Sequence, residues 1–175
     1  MKPSLPYERA KGQYRGKTDF MQKELLSYIA GFLDGDGCIM AQLVHRKDYR
    51  YGYQIRLSIV FYQKEQKIEF LEWLKTKLKY GYIRNRNDGM AEYTIVGPQY
   101  VQEILIKLLP YLRLKRKLAE LVLEISRIPK QLTAKEFLQY AELVDLTAKY
   151  TYSKKRTRTK EVVENYLKEY KILSP

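Results

Sequence analysis

The sequence predicts an α+β fold: an αββαββα core on one four-stranded, mainly antiparallel sheet, with helices on one face and a helical C-terminal region. Two pairs of alternating segments sit close together in the chain, as hairpins require, and a stretch of helical periodicity precedes each pair. From Pro98 onward the pattern is helical throughout, and segregation of strands from helices in this way marks an α+β rather than a doubly wound fold.

The first 20 residues carry Lys2, Arg9, Lys11, Arg15 and Lys17 with little apolar material, and read as a mobile basic arm, either a disordered leader or a DNA-touching extension. From Met21, Leu25, Leu26, Ile29, Phe32 and Leu33 recur at three and four residues, giving a helix that the glycines after Leu33 should end. "CIMAQLV" and "YQIRLSIVFYQ" alternate as strands. In the second, Ile55, Leu57, Ile59 and Phe61 share a core face, and Gln54, Arg56, Ser58, Val60 and Tyr62 share the other. "KEQKIEFLEWLKTKLK" places Ile68, Leu71, Leu74 and Leu78 on one helical stripe. "YGYIRNRNDGMAEYTIV" reads as two strands joined through Asn87, Asp88 and Gly89, an Asp-Gly hairpin signal. Helices follow at "PQYVQEILIKLL", with Pro98 in its first turn, at "KRKLAELVLEISRI", and at "TAKEFLQYAELVDLTAKY", which opens with the capping box Thr133 and Glu136. The basic loop "SKKRTRTK" leads to a last helix. The expected organisation is an arm over 1–20, one domain over 21–150, and a loop and helix over 151–175 belonging to that domain.

The 175 residues carry 33 Lys and Arg against 20 Asp and Glu, a net charge of +13, which makes a polyanion the expected partner. The basic residues do not gather on one amphipathic segment, so nucleic acid is favoured over a membrane surface. One cysteine and one histidine exclude an internal disulfide and Cys/His zinc chemistry within a chain. No apolar run is long enough to span a bilayer and the N-terminus lacks the apolar centre of a secretion signal. The expectation is therefore an intracellular protein of the cytoplasm or an organelle, not secreted. An uncovered polar sheet face could simply be solvated, but Gln42, Gln54, Arg56, Arg84 and Arg86 are the long, bidentate donors that read base edges in a major groove.

Asp34 and Asp36 follow an apolar helix in "SYIAGFLDGDGCIM", where carboxylates oppose the negative end of the helix dipole and call for a compensating positive group. Two acids among glycines form either a hard-cation site or surface ion pairs. An EF-hand loop from Asp34 fails, because Cys38, Ile39 and His45 stand at its fifth, sixth and twelfth positions. A phosphate loop of the GxGxxG type from Gly35 fails at Met40. "FLDGDG" also resembles haloacid-dehalogenase phosphatases, but those need a doubly wound parallel sheet and a later acidic pair, which this pattern lacks.

The longer stretch "YIAGFLDGDG" resembles the LAGLIDADG motif of homing endonucleases, matching it from Ile29 through Gly37. The resemblance extends over nearly the whole chain and is nearest to the single-motif, homodimeric, algal intron-encoded type. It implies a saddle-like sheet and a Mg²⁺-dependent DNA endonuclease, with Mn²⁺ or Ca²⁺ as substitutes in binding. The enzyme would hydrolyse phosphodiester bonds at a long, pseudo-palindromic double-stranded target, with no membrane partner and no small-molecule substrate. The alternative on the same scaffold is an RNA maturase or DNA-binding regulator without nuclease activity. Ser27, Gly31 and Gly35 lie on one i, i+4 line that suits close helix packing. By resemblance they form the dimer interface together with Asp34, which would cap the partner helix. Asp36 and the Gly35 carbonyl would bind metal, and Gln63, Lys67 and Lys115 would complete the catalytic set with Asp36. Lys67 stands where the nearest relatives often have Arg. Taken singly, Gln63 would be a helix cap and Lys115 a solvated lysine. DNA contacts would come from Met40, Gln42, Arg46, Tyr49, Gln54, Arg56, Val60, Arg84, Arg86 and Thr94. Lys154, Lys155, Arg156 and Arg158 would meet phosphates, where the bland alternative is a solvated linker.

Overall fold

The computed structural model describes residues 22–151 and 156–172; the basic arm over 1–20 lies outside them. Helix α1 spans 22–36 and runs directly into strand β1, Gly37–His45. Then come β2 (Tyr53–Lys64), α2 (Ile68–Leu78), β3 (Tyr82–Asn85), β4 (Met90–Val96), α3 (Pro98–Leu108), α4 (Arg116–Ile125), α5 (Ala134–Leu146) and α6 (Lys160–Glu169). All neighbouring strands pair antiparallel in the order β1-β2-β4-β3, which is the α+β sheet read from the sequence.

Local chemistry accounts for the boundaries. The helical stretch expected from Lys64 instead begins with a short 3-10 turn over Glu65–Lys67 and becomes α-helical at Ile68, where the apolar stripe starts. At the β3–β4 turn the Arg86 amide donates to the Met90 carbonyl at 2.8 Å, leaving a three-residue loop whose last member, Gly89, has φ 76°; a side chain there would be strained. The capping box forms as expected: the Thr133 hydroxyl accepts the Glu136 amide and the Glu136 carboxylate accepts the Thr133 amide.

Pairing of Gly37 with Phe61, and of Phe61 with Tyr93, puts odd-numbered residues of β1, β2 and β4 on the helix side. There Ile39, Leu57, Ile59, Phe61, Tyr93 and Ile95 are buried against Leu71, Leu74, Ile104, Leu105 and Val122, each large apolar side chain contributing about 1.5–3 kcal/mol. Val163 and Leu167 of α6 enter the same cluster. Even-numbered residues of these strands face away from the helices.

Candidate nucleic-acid interface and metal site

Asp34 is buried at the end of α1, and its carboxylate is fully engaged within its own chain. It accepts the amides of Arg113, Leu114 and Lys115 at 2.6, 3.1 and 2.9 Å, the three residues that lead into α4. The Lys115 ammonium returns the contact by donating to the Asp34 main-chain carbonyl. The positive group demanded by an acid at a helix C-terminus is thus the start of α4, with a lysine on the last turn of α1. This corrects the expectation that Asp34 caps a partner helix: the donors it satisfies are 79 to 81 residues away in the same chain.

Because Asp34 is consumed, Asp36 is the acid left exposed at the helix-to-strand junction, beside exposed Gly35. Its carboxylate and the Gly35 carbonyl are hard oxygen donors of the kind that Mg²⁺ takes, but they do not complete a shell. Among the described residues no group of three or more His, Cys, Asp or Glu could hold a metal ion. A divalent ion here would take further oxygens beyond these two donors. Gln63 lies two residues along β2 from Phe61, the partner of Gly37, and shares the helix-side face of Phe61, whose ring stacks on Phe32 of α1 at 5.9 Å. The ladder therefore carries Gln63 towards the α1 side, away from the polar face. The Gln63 side-chain oxygen accepts the Lys64 amide at 2.9 Å, and Lys67 is exposed in the 3-10 turn.

The face turned away from the helices carries Met40, Gln42, Gln54 and Arg56 in the β1–β2 ladder, with Arg46 and Tyr49 exposed in the loop beyond it. Val60 and Thr94, expected to touch DNA, are cross-strand partners only 3% and 4% exposed; they form the floor beneath longer neighbours and show almost no surface to a ligand. The Arg56 Nε and Thr94 Oγ1 atoms are buried without a hydrogen-bond partner among the described residues, so this face holds unmet polar capacity. A buried acid, Glu92, sits among the arginines, a pairing that the sequence alone does not reveal. Glu92 accepts Arg84 at 2.7 Å and lies 3.6 Å from Arg86, which also pairs with Asp88 at 2.9 Å. The Arg86 hydrogen bond holds the Asp88 carboxyl below its ordinary range. The signal for Glu92 in the sequence is that it alternates with Thr94 on β4, on the same face as the arginines. On the same face, burial pushes the Cys38 thiol pKa up, keeping a neutral thiol.

An open cleft of about 960 Å³ runs beside β1, between Gly35, Gln42, Lys115, Tyr150 and Arg158. Arg158 is exposed there. Arg156 is half-buried and tied into the fold: its guanidinium donates to the Val144 carbonyl at 2.6 Å and the Thr147 hydroxyl at 2.7 Å, and burial draws its pKa down. It caps the end of α5, which corrects its assignment as a phosphate contact. Lys154 and Lys155 lie outside the described residues. Along α1, Ser27, Gly31 and Gly35 form an exposed line, and among the described residues a β-carbon added at either glycine would meet nothing within 4 Å. Tyr28, 56% exposed, flanks that line and makes edge contacts with Phe70 and Trp73 of α2 at 6.3 and 5.9 Å. Among the described residues no helix is long and apolar enough to cross a membrane.

Comparison with known proteins bears on this arrangement. The LAGLIDADG endonuclease family model matches residues 29–123. The chain is 41% identical over 152 residues to DNA endonuclease I-CvuI of Chlorella vulgaris, covering 86% of this chain and 94% of that one. It is 38% identical over 150 residues to DNA endonuclease I-CreI of Chlamydomonas reinhardtii, covering 83% and 90%. A crystal structure of I-CvuI in complex with its target in the presence of Ca superposes with a TM-score of 0.85 over 89% of this chain and 99% of that chain, at 39% identity. One of I-CvuI with the I-CreI target in the presence of Mg, its DNA not cleaved, superposes with a TM-score of 0.84.

Proposed function

Because the chain belongs to the LAGLIDADG endonuclease family, we infer that it is a site-specific homing endonuclease that cuts double-stranded DNA. The single observation that carries the chemistry is the lock between Asp34 and the residues before α4, which leaves Asp36 exposed where α1 becomes β1.

Asp36 and the Gly35 carbonyl would hold a divalent cation, Mg²⁺ in the working enzyme, with Mn²⁺ or Ca²⁺ as substitutes in binding. The relatives' DNA complexes formed in the presence of Mg and Ca support divalent metal use. When bound, such a cation neutralises charge on the scissile phosphate and lowers the pKa of an attacking water. The chain's own part is positional and electrostatic. Lys115, tethered to the Asp34 carbonyl, sets a fixed positive charge beside the acid, so that the phosphate meets a preformed electrostatic environment. Gln63 orients water from the end of β2, and Lys67 supplies a mobile point charge from the adjoining turn.

Among the described residues one chain offers one exposed motif carboxylate and an incomplete donor set, which favours a homodimer whose α1 helices meet along Ser27, Gly31 and Gly35. Two copies would bring paired Asp36 carboxylates to a common axis, with cations and phosphates relieving their repulsion. A two-fold enzyme then reads a long, pseudo-palindromic site through the β1–β2 and β3–β4 faces, with Met40, Gln42, Gln54, Arg56, Arg84 and Arg86 directed at bases. DNA as substrate places its work inside the cell.

The test is incubation of purified protein with Mg²⁺ and DNA carrying the uninterrupted insertion site of its host gene. Double-strand cleavage is expected. Binding without cleavage at any Mg²⁺ or Mn²⁺ concentration would refute the endonuclease reading and point to a regulator or maturase.

A further inference from the structure

We propose that Tyr166, on α6, positions the recognition loop 46–52 between β1 and β2 and thereby sets discrimination at the base pairs farthest from the cleavage site; the second half of this statement rests on the endonuclease reading. Tyr166 carries no charge and packs on the helix side of the sheet, against His45 and Tyr53 rather than towards the polar face. It acts through its neighbours.

His45 and Tyr53 are register partners, the last rung of the β1–β2 ladder before the loop. The Tyr166 ring meets both edge-on, at 5.6 and 5.4 Å, and stacks on Tyr170 at 4.4 Å. Beside this rung, Gly52 has φ 66° and its main chain presses against the ring, so that an added β-carbon would overlap the Tyr166 aromatic carbons. Glycine here serves both the left-handed backbone and the close approach of the ring. The loop itself is closed by three main-chain bonds: Arg46 amide to Gly52 carbonyl at 2.8 Å, Tyr49 amide to Arg46 carbonyl at 3.0 Å, and Gly52 amide to Tyr49 carbonyl at 2.8 Å. Tyr51 anchors its other side, donating its hydroxyl to the Leu132 carbonyl and packing on Phe137. Outward, the loop presents Arg46, Lys47, Tyr49 and Arg50, all exposed.

Geometry assigns the loop to the outer part of a target. From Gly37 to His45 the strand advances about 26 Å at ~3.3 Å per residue, which is about eight base pairs at ~3.4 Å each along a groove. Positioning of charged and aromatic side chains to better than an ångström governs whether they discriminate bases or merely attract phosphates. An aromatic brace on the final rung supplies that rigidity.

Tyr166→Leu removes the ring, Tyr166→Phe keeps it, and Gly52→Ala pushes the loop from the other side. Hydrogen exchange at the Arg46, Tyr49 and Gly52 amides is expected to rise at least tenfold in Tyr166→Leu and Gly52→Ala while Ile39 and Ile59 are unchanged, with Tyr166→Phe like the original. Cleavage of targets substituted at each position in turn is expected to lose tenfold or more discrimination at the outer positions and less than twofold at the central ones. Unchanged exchange in both disrupting variants, or an equal loss at every target position, would overturn the proposal. A starting protein that cuts no DNA overturns the endonuclease reading instead, and the exchange data still decide whether Tyr166 holds the loop.

Discussion

Lys115 and Asp34 are joined twice over: the Lys115 amide donates to the Asp34 carboxylate at 2.9 Å, and the Lys115 ammonium donates to the Asp34 main-chain carbonyl. The end of α1 and the start of α4 are thereby one unit. Asp34→Ala leaves three amides without their acceptor and is expected to lower stability by about 2–3 kcal/mol in urea titrations. Lys115→Met should retain most of that stability, since the amide bond survives, while cutting falls by roughly 100-fold or more. Equal effects of the two changes on stability would contradict this division.

Asp36 is exposed and, among the described residues, makes no contact of the kind Asp34 makes. Asp36→Asn should therefore unfold at the same urea midpoint as the original, bind target DNA, and cut nothing. Metal-dependent cleavage by this variant removes Asp36 from the chemistry.

The bare line on α1 gives a clean separation of folding from assembly. At Gly31 an added β-carbon meets nothing within 4 Å among the described residues, and replacing a helical glycine gains about 0.5–1 kcal/mol of helix stability. Gly31→Leu is accordingly expected to fold at least as stably, to run as a monomer in light scattering, and to lose cleavage by 100-fold or more. A dimeric, active Gly31→Leu protein would remove α1 from the interface.

Glu92 holds Arg84 and Arg86 together from the floor of the polar face. In Glu92→Gln the two guanidiniums lose a fixed partner and the face gains one unit of positive charge. Binding to unrelated DNA should tighten with a steeper salt dependence, while preference among bases at the positions read by these arginines relaxes by about tenfold. An unaltered preference profile would show that the arginines are held by something other than this acid.

Arg156 and Arg158 are two residues apart, but their surroundings assign them different work. Arg156 is tied to Val144 and Thr147, whereas Arg158 is exposed beside the cleft. Arg158→Ala is expected to lower the salt slope of DNA binding by about 0.9, the value of one phosphate contact. Arg156→Met should leave the slope unchanged and lower the melting temperature instead.

The sequence revealed what depends on near neighbours. Alternation in β2, the stripe of α2, the Thr133–Glu136 cap and the hairpin at Gly89 all fall within a few residues, and the four antiparallel strands follow from them. Pairings across long stretches of chain were invisible. Asp34 meets amides some 80 residues on, and nothing in "FLDGDG" says whether its first acid serves the same chain or another. Arg156 looked like its basic neighbours because charge is legible in a sequence while the carbonyl that consumes it is not. Val60 and Thr94 had the right parity for the polar face, but parity is silent about the length of the side chains around them, and short residues sink.

The alternation of β1 and β2 has a consequence for how such a protein changes over generations. Partners of the core sit at odd positions and candidate base readers such as Gln42, Gln54 and Arg56 at even ones, so exchanges at even positions leave the packed layer intact. A lineage whose insertion site mutates can follow it through single codon changes on one side of a ribbon, with neither the lock at Asp34 nor the buried layer having to be reinvented.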